Sequence, residues 1–197
     1  TANVSDAAGN AASEVTSSAF TVNSSLPTIA AIETGAFSWG AVLNATEDNA
    51  NGTVSITTTG VDNGQTVTLV LNGANYTNTI TDNATTVTIT AAGLQALTDG
   101  QSYTMTANVS DAAGNAASEV TSSAFTVNSS LPTIAAIETS AFSWGAVLNA
   151  TEDNSNGTVT VTTTGVDDGQ TLTLVLNGAN YTGSVSSNSV TVTITDT

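Results

Sequence analysis

The sequence predicts an all-β protein, built as tandem antiparallel β-sandwiches with a repeat of about 105 residues. Two observations carry this. First, Ser5-Asp6-Ala7-Ala8-Gly9-Asn10 returns unchanged as Ser110-Asp111-Ala112-Ala113-Gly114-Asn115, and the offset of 105 holds along the chain, so that Pro27 matches Pro132, Trp39 matches Trp144 and Tyr76 matches Tyr181. Of the 92 positions that pair this way, 77 are identical. Second, the apolar residues recur with period two between turn signals every 8–12 residues, the pattern of short strands whose faces differ.

The repeat sets the organisation. Leu26-Pro27 and Leu131-Pro132 mark equivalent boundaries, so residues 1–26 read as the tail of a preceding domain, 27–131 as a complete domain and 132–197 as the first part of a third. The linker Asn128-Ser129-Ser130-Leu131-Pro132 is short and contains proline but no glycine, which makes it a spacer of limited flexibility. The two end pieces together would form one domain lacking 13 residues. The chain therefore reads either as a window on a longer array or as ends that complete each other between molecules.

Within the complete repeat, Thr28–Glu33 and Gly40–Asn44 open the sandwich. Thr53–Thr58 alternates through Val54 and Ile56, and Thr66–Asn72 through Val67, Leu69 and Leu71. Asn75–Thr81 carries Tyr76 and Ile80, and Thr86–Thr90 carries Val87 and Ile89. Ser102–Ser110 alternates through Tyr103, Met105, Ala107 and Val109, and Glu119–Val127 closes with Phe125 and Val127. Asn51-Gly52, Asp62-Asn63-Gly64, Asn72-Gly73, Asp99-Gly100 and Gly114-Asn115 supply the turns. Ala91–Leu97 breaks the pattern with helical spacing of Leu94 and Leu97 and reads as a single turn crossing between sheets. It leads into Leu97-Thr98-Asp99-Gly100-Gln101-Ser102-Tyr103, which is similar to the tyrosine corner of immunoglobulin-like sandwiches. Tyr103 is accordingly a structural residue. Seven strands in about 100 residues, with this corner, define an immunoglobulin-like antiparallel sandwich.

Composition excludes several functions. The chain has no Lys, Arg or His, 16 Asp plus Glu, and a net charge of −16. Nucleic-acid phosphates and anionic membrane surfaces both need basic residues. Without Cys there are neither disulfides nor thiolate metal sites, and without His zinc and copper lose their best ligand. Acid–base catalysis would fall to carboxylates alone, and none is paired around a predicted pocket, so no enzyme is expected. The threonine rows Thr66-x-Thr68 and Thr86-x-Thr88-x-Thr90 resemble those of ice-binding solenoids. A twisted sandwich with a period of 105 does not stack them on one flat face, and threonine favours exposed strand faces in any case.

No carboxylate here can be neutralised by a salt bridge within the chain. Oxygen ligands suit Ca2+, which takes about six to eight of them. On a sandwich frame, Glu33, Asp62 and Asp111 are expected at the N-terminal pole, and Glu47, Asp48 and Asp99 at the C-terminal pole, with Asn49 and Asn51 beside them. Asp6 is the counterpart of Asp111 in the preceding domain, while Glu138, Glu152, Asp153 and Asp167 repeat Glu33, Glu47, Asp48 and Asp62. Asp168 replaces Asn63. End-to-end stacking would set Glu47, Asp48 and Asp99 against Glu138, Asp167 and Asp168, an expected Ca2+-binding joint between neighbouring repeats. Asp82 becomes Ser187, and seven of the 15 differences fall within residues 78–85, an exposed edge under little constraint.

Gly-Ala-Val-Leu-Asn-Ala-Thr-Glu (40–47), Val-Asp-Asn-Gly-Gln-Thr-Val-Thr-Leu-Val-Leu-Asn-Gly (61–73), Leu-Thr-Asp-Gly-Gln-Ser-Tyr (97–103) and Val-Ser-Asp-Ala-Ala-Gly-Asn (109–115) together resemble the bacterial immunoglobulin-like repeats of giant RTX adhesins. The resemblance covers the whole repeat. It implies an extracellular, surface-anchored protein in which many Ca2+-rigidified copies project a ligand-binding tip away from the cell. Members of the family often carry Asp-Thr-Thr where this chain has Asn128-Ser129-Ser130, which removes a linker carboxylate. The expected role is thus a structural extender. The alternative is an adhesin module that itself recognises glycan or ice.

Overall fold

A computed structural model describes residues 1–196. In the middle repeat the strands are β1 (Thr28–Ile29), β2 (Val42–Asn44), β3 (Gly52–Thr59), β4 (Thr66–Leu71), β5 (Ala74–Thr79), β6 (Ala84–Ile89), β7 (Ser102–Tyr103), β8 (Met105–Asn108), β9 (Val120–Thr121) and β10 (Phe125–Asn128), with helix α1 (Ala91–Gln95) between β6 and β7. Period two does what it predicts. Along β3, Val54, Ile56 and Thr58 point inward while Ser55, Thr57 and Thr59 face out. Strand β4 likewise buries Val67, Leu69 and Leu71.

One layer is β1-β3-β6. The other is β5-β4-β8-β9, continued at one end by β7-β10-β2. Between the layers lies one core that runs from Ile29 to Val127 and contains Leu43, Leu94, Met105 and Phe125. Phe37, Trp39 and Phe125 pack on each other at its lower end, with ring centroids 5.3–5.8 Å apart.

Two predicted strands are divided. The two opening segments go to different layers, with β1 antiparallel to β3 and β2 parallel to β10. The two closing strands break together. The register pairs Thr106 with Thr121 but Tyr103 with Phe125, so one extra residue is inserted on the final strand. Ser122 occupies the break. Its Oγ accepts the Met105 N–H at 2.9 Å and donates to Ser123 O, while its backbone N–H goes to Met105 O. Turn Ala91–Leu97 is helical over Ala91–Gln95, with Thr90 Oγ1 accepting the Gly93 N–H as N-cap.

The next repeat reproduces the architecture with β11 (Thr133–Ile134), β12 (Gly157–Thr164), β13 (Thr171–Leu176), β14 (Ala179–Ser184) and β15 (Ser189–Ile194). Val147–Asn149, equivalent to β2, forms no strand, because its parallel partner has no counterpart within these residues. Leu148 is therefore 50% exposed where Leu43 is fully buried. Residues 1–26 form only the isolated bridges Ala2–Val15 and Ser5–Ala11. No helix among the described residues is long and apolar enough to cross a membrane.

Candidate junction between repeats

Hydrogen bonds gather the loops of the middle repeat into two sets, one joining Asn49 and Asn51 to α1 and the other joining Asp62 to the loop at Ala112. At the C-terminal pole, Asn44 Oδ1 accepts the N–H groups of Thr46 and Glu47 at 2.9 and 3.1 Å, and Glu47 Oε2 accepts the Asn44 N–H at 3.0 Å. This reciprocal arrangement closes the short 3-10 turn Glu47–Asn49. Asn149 and Glu152 repeat it with the same distances. Asn49 and Asn51 tie that turn to α1, accepting from Gln95 Nε2 and the Ala91 N–H at 3.0 Å each. Asp99 follows α1, and its Oδ1 accepts the Ser129 N–H of the linker at 2.7 Å while Oδ2 accepts the Ser130 hydroxyl.

At the N-terminal pole, Asp111 is only 3% exposed. Its Oδ1 accepts the Ala113 and Asn115 N–H groups at 3.0 and 2.8 Å. Its Oδ2 accepts Asn115 Nδ2 at 2.8 Å and Asn23 Nδ2, from the upstream linker, at 3.0 Å. Asp62 Oδ2 accepts the Ala112 N–H at 3.0 Å, so the two loops are bonded to each other. Asp6 makes the same turn with Ala8 and Asn10 although no core surrounds it. The turn is thus encoded locally, with Gly9 and Gly114 at φ +88° and +91°. Hydrogen bonds hold the carboxyls of Asp6 and Asp111 below the usual aspartate range, chiefly those from the Asn10 and Asn115 side chains. That of Asp99 is lowered chiefly by Ser130 and then by the Ser129 N–H.

The expected cluster of six carboxylates does not form. Among the described residues no three acidic side chains come close enough to share a metal ion. The reason is local. Glu47 and Glu152 cap turns, Asp99 binds the linker, and Asp168 Oδ1 accepts the Ser187 N–H at 2.6 Å. Asn63 Oδ1 accepts the Asp82 N–H in the same way, so this position needs an acceptor rather than a charge. Glu33 lies part-way down the sandwich instead of at its pole. There its Oε2 accepts the Ser123 hydroxyl, beside the Ser123 N–H to Ile32 O bond at 2.8 Å. Its counterpart Glu138 precedes the turn Thr139–Ala141 within the next repeat's own body. Asp48 and Asp153 accept no side-chain hydrogen bond from the described residues, and neither does Asp167, whose counterpart Asp62 takes the Ala112 N–H from a loop with no equivalent within 132–196. Of these, Asp167 lines the cleft between the two repeats with Asn44, Thr46, Asn128, Ser130 and Gln170. These are hard oxygen donors of the kind Ca2+ takes, but with a single carboxylate among them.

Sequence reasoning passed over Asn23, Ser129, Ser130 and the Asn115 side chain. The signal available was that Asn-Ser-Ser-Leu-Pro stands unchanged in both linkers.

A two-layer sandwich with a tyrosine corner, followed on a short linker by a second copy of its first strands, defines a tandem immunoglobulin-like repeat protein. Over 98% of its length the chain is similar, at 32% identity and a TM-score of 0.54, to the Ca2+-stabilised adhesin that helps an Antarctic bacterium reach out and bind ice. It spans 47% of that structure. It is also similar, at 28% identity and a TM-score of 0.53 over 98% of its length, to a 1.5-MDa bacterial ice-binding adhesin, of which it spans 62%. A crystallised bacterial immunoglobulin-like domain of the M. primoryensis ice-binding adhesin shares 34% identity, with 96% of that domain and 52% of this chain covered, at a TM-score of 0.37. No protein-family model and no curated protein matches the chain. Over nearly its whole length, then, the chain is similar to bacterial ice-binding adhesins.

Proposed function

We propose that this chain is a non-catalytic spacer of a large bacterial surface adhesin, an extracellular extender whose repeats project a distal ligand-binding region and are stiffened at their junctions by Ca2+. The near-identity of successive copies carries this reading: 77 of 92 paired positions match, linkers included. Selection for a recognition surface needs one good copy, whereas selection for length needs many equivalent ones.

Ca2+ supplies the positive charge that the chain lacks. Asp167 with the neutral oxygens of Asn44, Asn128 and Gln170 would hold it in the junction cleft. One carboxylate gives a weak site, in the range of about 10⁻⁴–10⁻³ M typical of extracellular modules. Such binding stabilises the folded state by mass action.

Thermal melting in millimolar Ca2+ and in EDTA tests this. The expected result is a higher melting temperature with Ca2+, and an unchanged one sinks the cation's role. Binding of the chain to ice or to a glycan array would instead favour direct recognition.

A further inference from the structure

We infer that the protein itself also holds each linker, through a two-sided clasp in which one aspartate behind the linker binds its Ser-Ser and another ahead of it binds its Asn. The two linkers, 23–27 and 128–132, are identical in sequence, and each displays one side of this clasp. Behind the downstream linker, Asp99 accepts the Ser129 N–H at 2.7 Å and the Ser130 hydroxyl. Ahead of the upstream linker, Asp111 Oδ2 accepts Asn23 Nδ2 at 3.0 Å.

Asn23 makes three hydrogen bonds. Its Oδ1 accepts the Ser25 N–H at 3.2 Å and so bends the linker, its Nδ2 reaches Asp111, and its backbone carbonyl accepts Asn115 Nδ2 at 3.1 Å. An amide is the side chain that can do this. A carboxylate at position 23 would meet Asp111 as a like charge at hydrogen-bond distance. Hydrogen bonds to an ionised group are also the stronger kind. Because identical linkers carry both sets of donors, every internal linker of the array would be fixed to both of its neighbours.

The clasp contains no cation. It therefore goes beyond the Ca2+ reading and makes a different prediction: the linker stays ordered after chelation. Asp99 and Asp111 each accept protein hydrogen bonds on both carboxylate oxygens.

The test is ¹⁵N relaxation of the linker amides in the 197-residue chain, with EDTA throughout. In the unsubstituted chain, Ser129 and Ser130 should keep order parameters near those of rigid backbone, about 0.85, and Asp99→Ala should drop them below about 0.6. Ser130→Ala, which removes one donor on an exposed linker, should move them the same way by less, and carries the test if Asp99→Ala fails to fold. Asn23→Ala should free Ser24 and Ser25 while Ala113 and Asn115 keep their order. Linker amides already mobile in EDTA without any substitution, or unchanged in Asp99→Ala and Ser130→Ala, would overturn the clasp. A melting temperature insensitive to Ca2+ leaves the clasp standing, so the two ideas fail separately.

Discussion

The phenol oxygen of Tyr103 accepts the backbone N–H of Thr98 at 2.9 Å, closing the corner by which the chain enters β7. The ring meanwhile packs on Phe125 with centroids 6.2 Å apart. The corner fixes Asp99, which lies between the two bonded residues and holds the downstream linker.

Tyr103→Phe keeps the ring and deletes the acceptor. It should cost about 1 kcal/mol, the ordinary net worth of one hydrogen bond. In a domain of this size that is a fall in melting temperature of about 4–8 °C. Urea denaturation followed by tryptophan fluorescence measures it, and no change would mean the corner is ornamental.

Gly52 is required by Trp39. A Cβ at position 52 would lie 2.5 Å from Trp39 Cζ3, and the pair recurs as Gly157 with Trp144 at 2.4 Å. Gly52→Ala should destabilise by about 1–3 kcal/mol through overpacking. Gly35→Ala should be close to neutral, since nothing lies within 4 Å of its added carbon and the next repeat already carries Ser140 there. Equal effects of the two variants would refute the packing argument.

Phe20 and Phe125 occupy the same repeat position but are 84% and 1% exposed. Phe125→Ala should therefore cost about 3–5 kcal/mol and Phe20→Ala almost nothing in this chain. Comparing their denaturation midpoints decides whether burial, rather than residue type, sets the cost.

Acid should loosen the poles. The folded-state pKa values of Asp99 and Asp111 lie below the ordinary aspartate value. Their contribution is thus present above about pH 4, where the unfolded chain is ionised, and is lost as pH falls through the folded values. Acid also weakens the self-repulsion of a chain whose net charge is −16, so the informative quantity is a difference. Asp111→Asn should be less stable than the unsubstituted chain at pH 7, and the gap should narrow toward pH 2. A gap independent of pH would remove the carboxylate's charge from the account.

Much of the molecule was legible because its determinants are local or periodic. Alternating residues on β3, β4 and β6 face the core as their period requires. The turn beginning at Asp6 and Asp111 forms identically with and without a core around it, since its donors lie within four residues of the acceptor. The break at Ser122 was legible only as a change of phase between Val120 and Phe125, since it depends on side-chain bonding to a strand 17 residues away.

The acids show where sequence reading ends. Composition alone determined that no carboxylate in this chain has a basic partner, and the repeat determined that whatever one junction does the next can do as well. Which acids face a junction was a matter for the tertiary structure. Asp99 meets a serine 31 positions on, and Asp111 meets an asparagine 88 positions back. A carboxylate forms strong hydrogen bonds with neutral donors in reach, and only the folded chain brings donors from so far along the sequence within 3 Å.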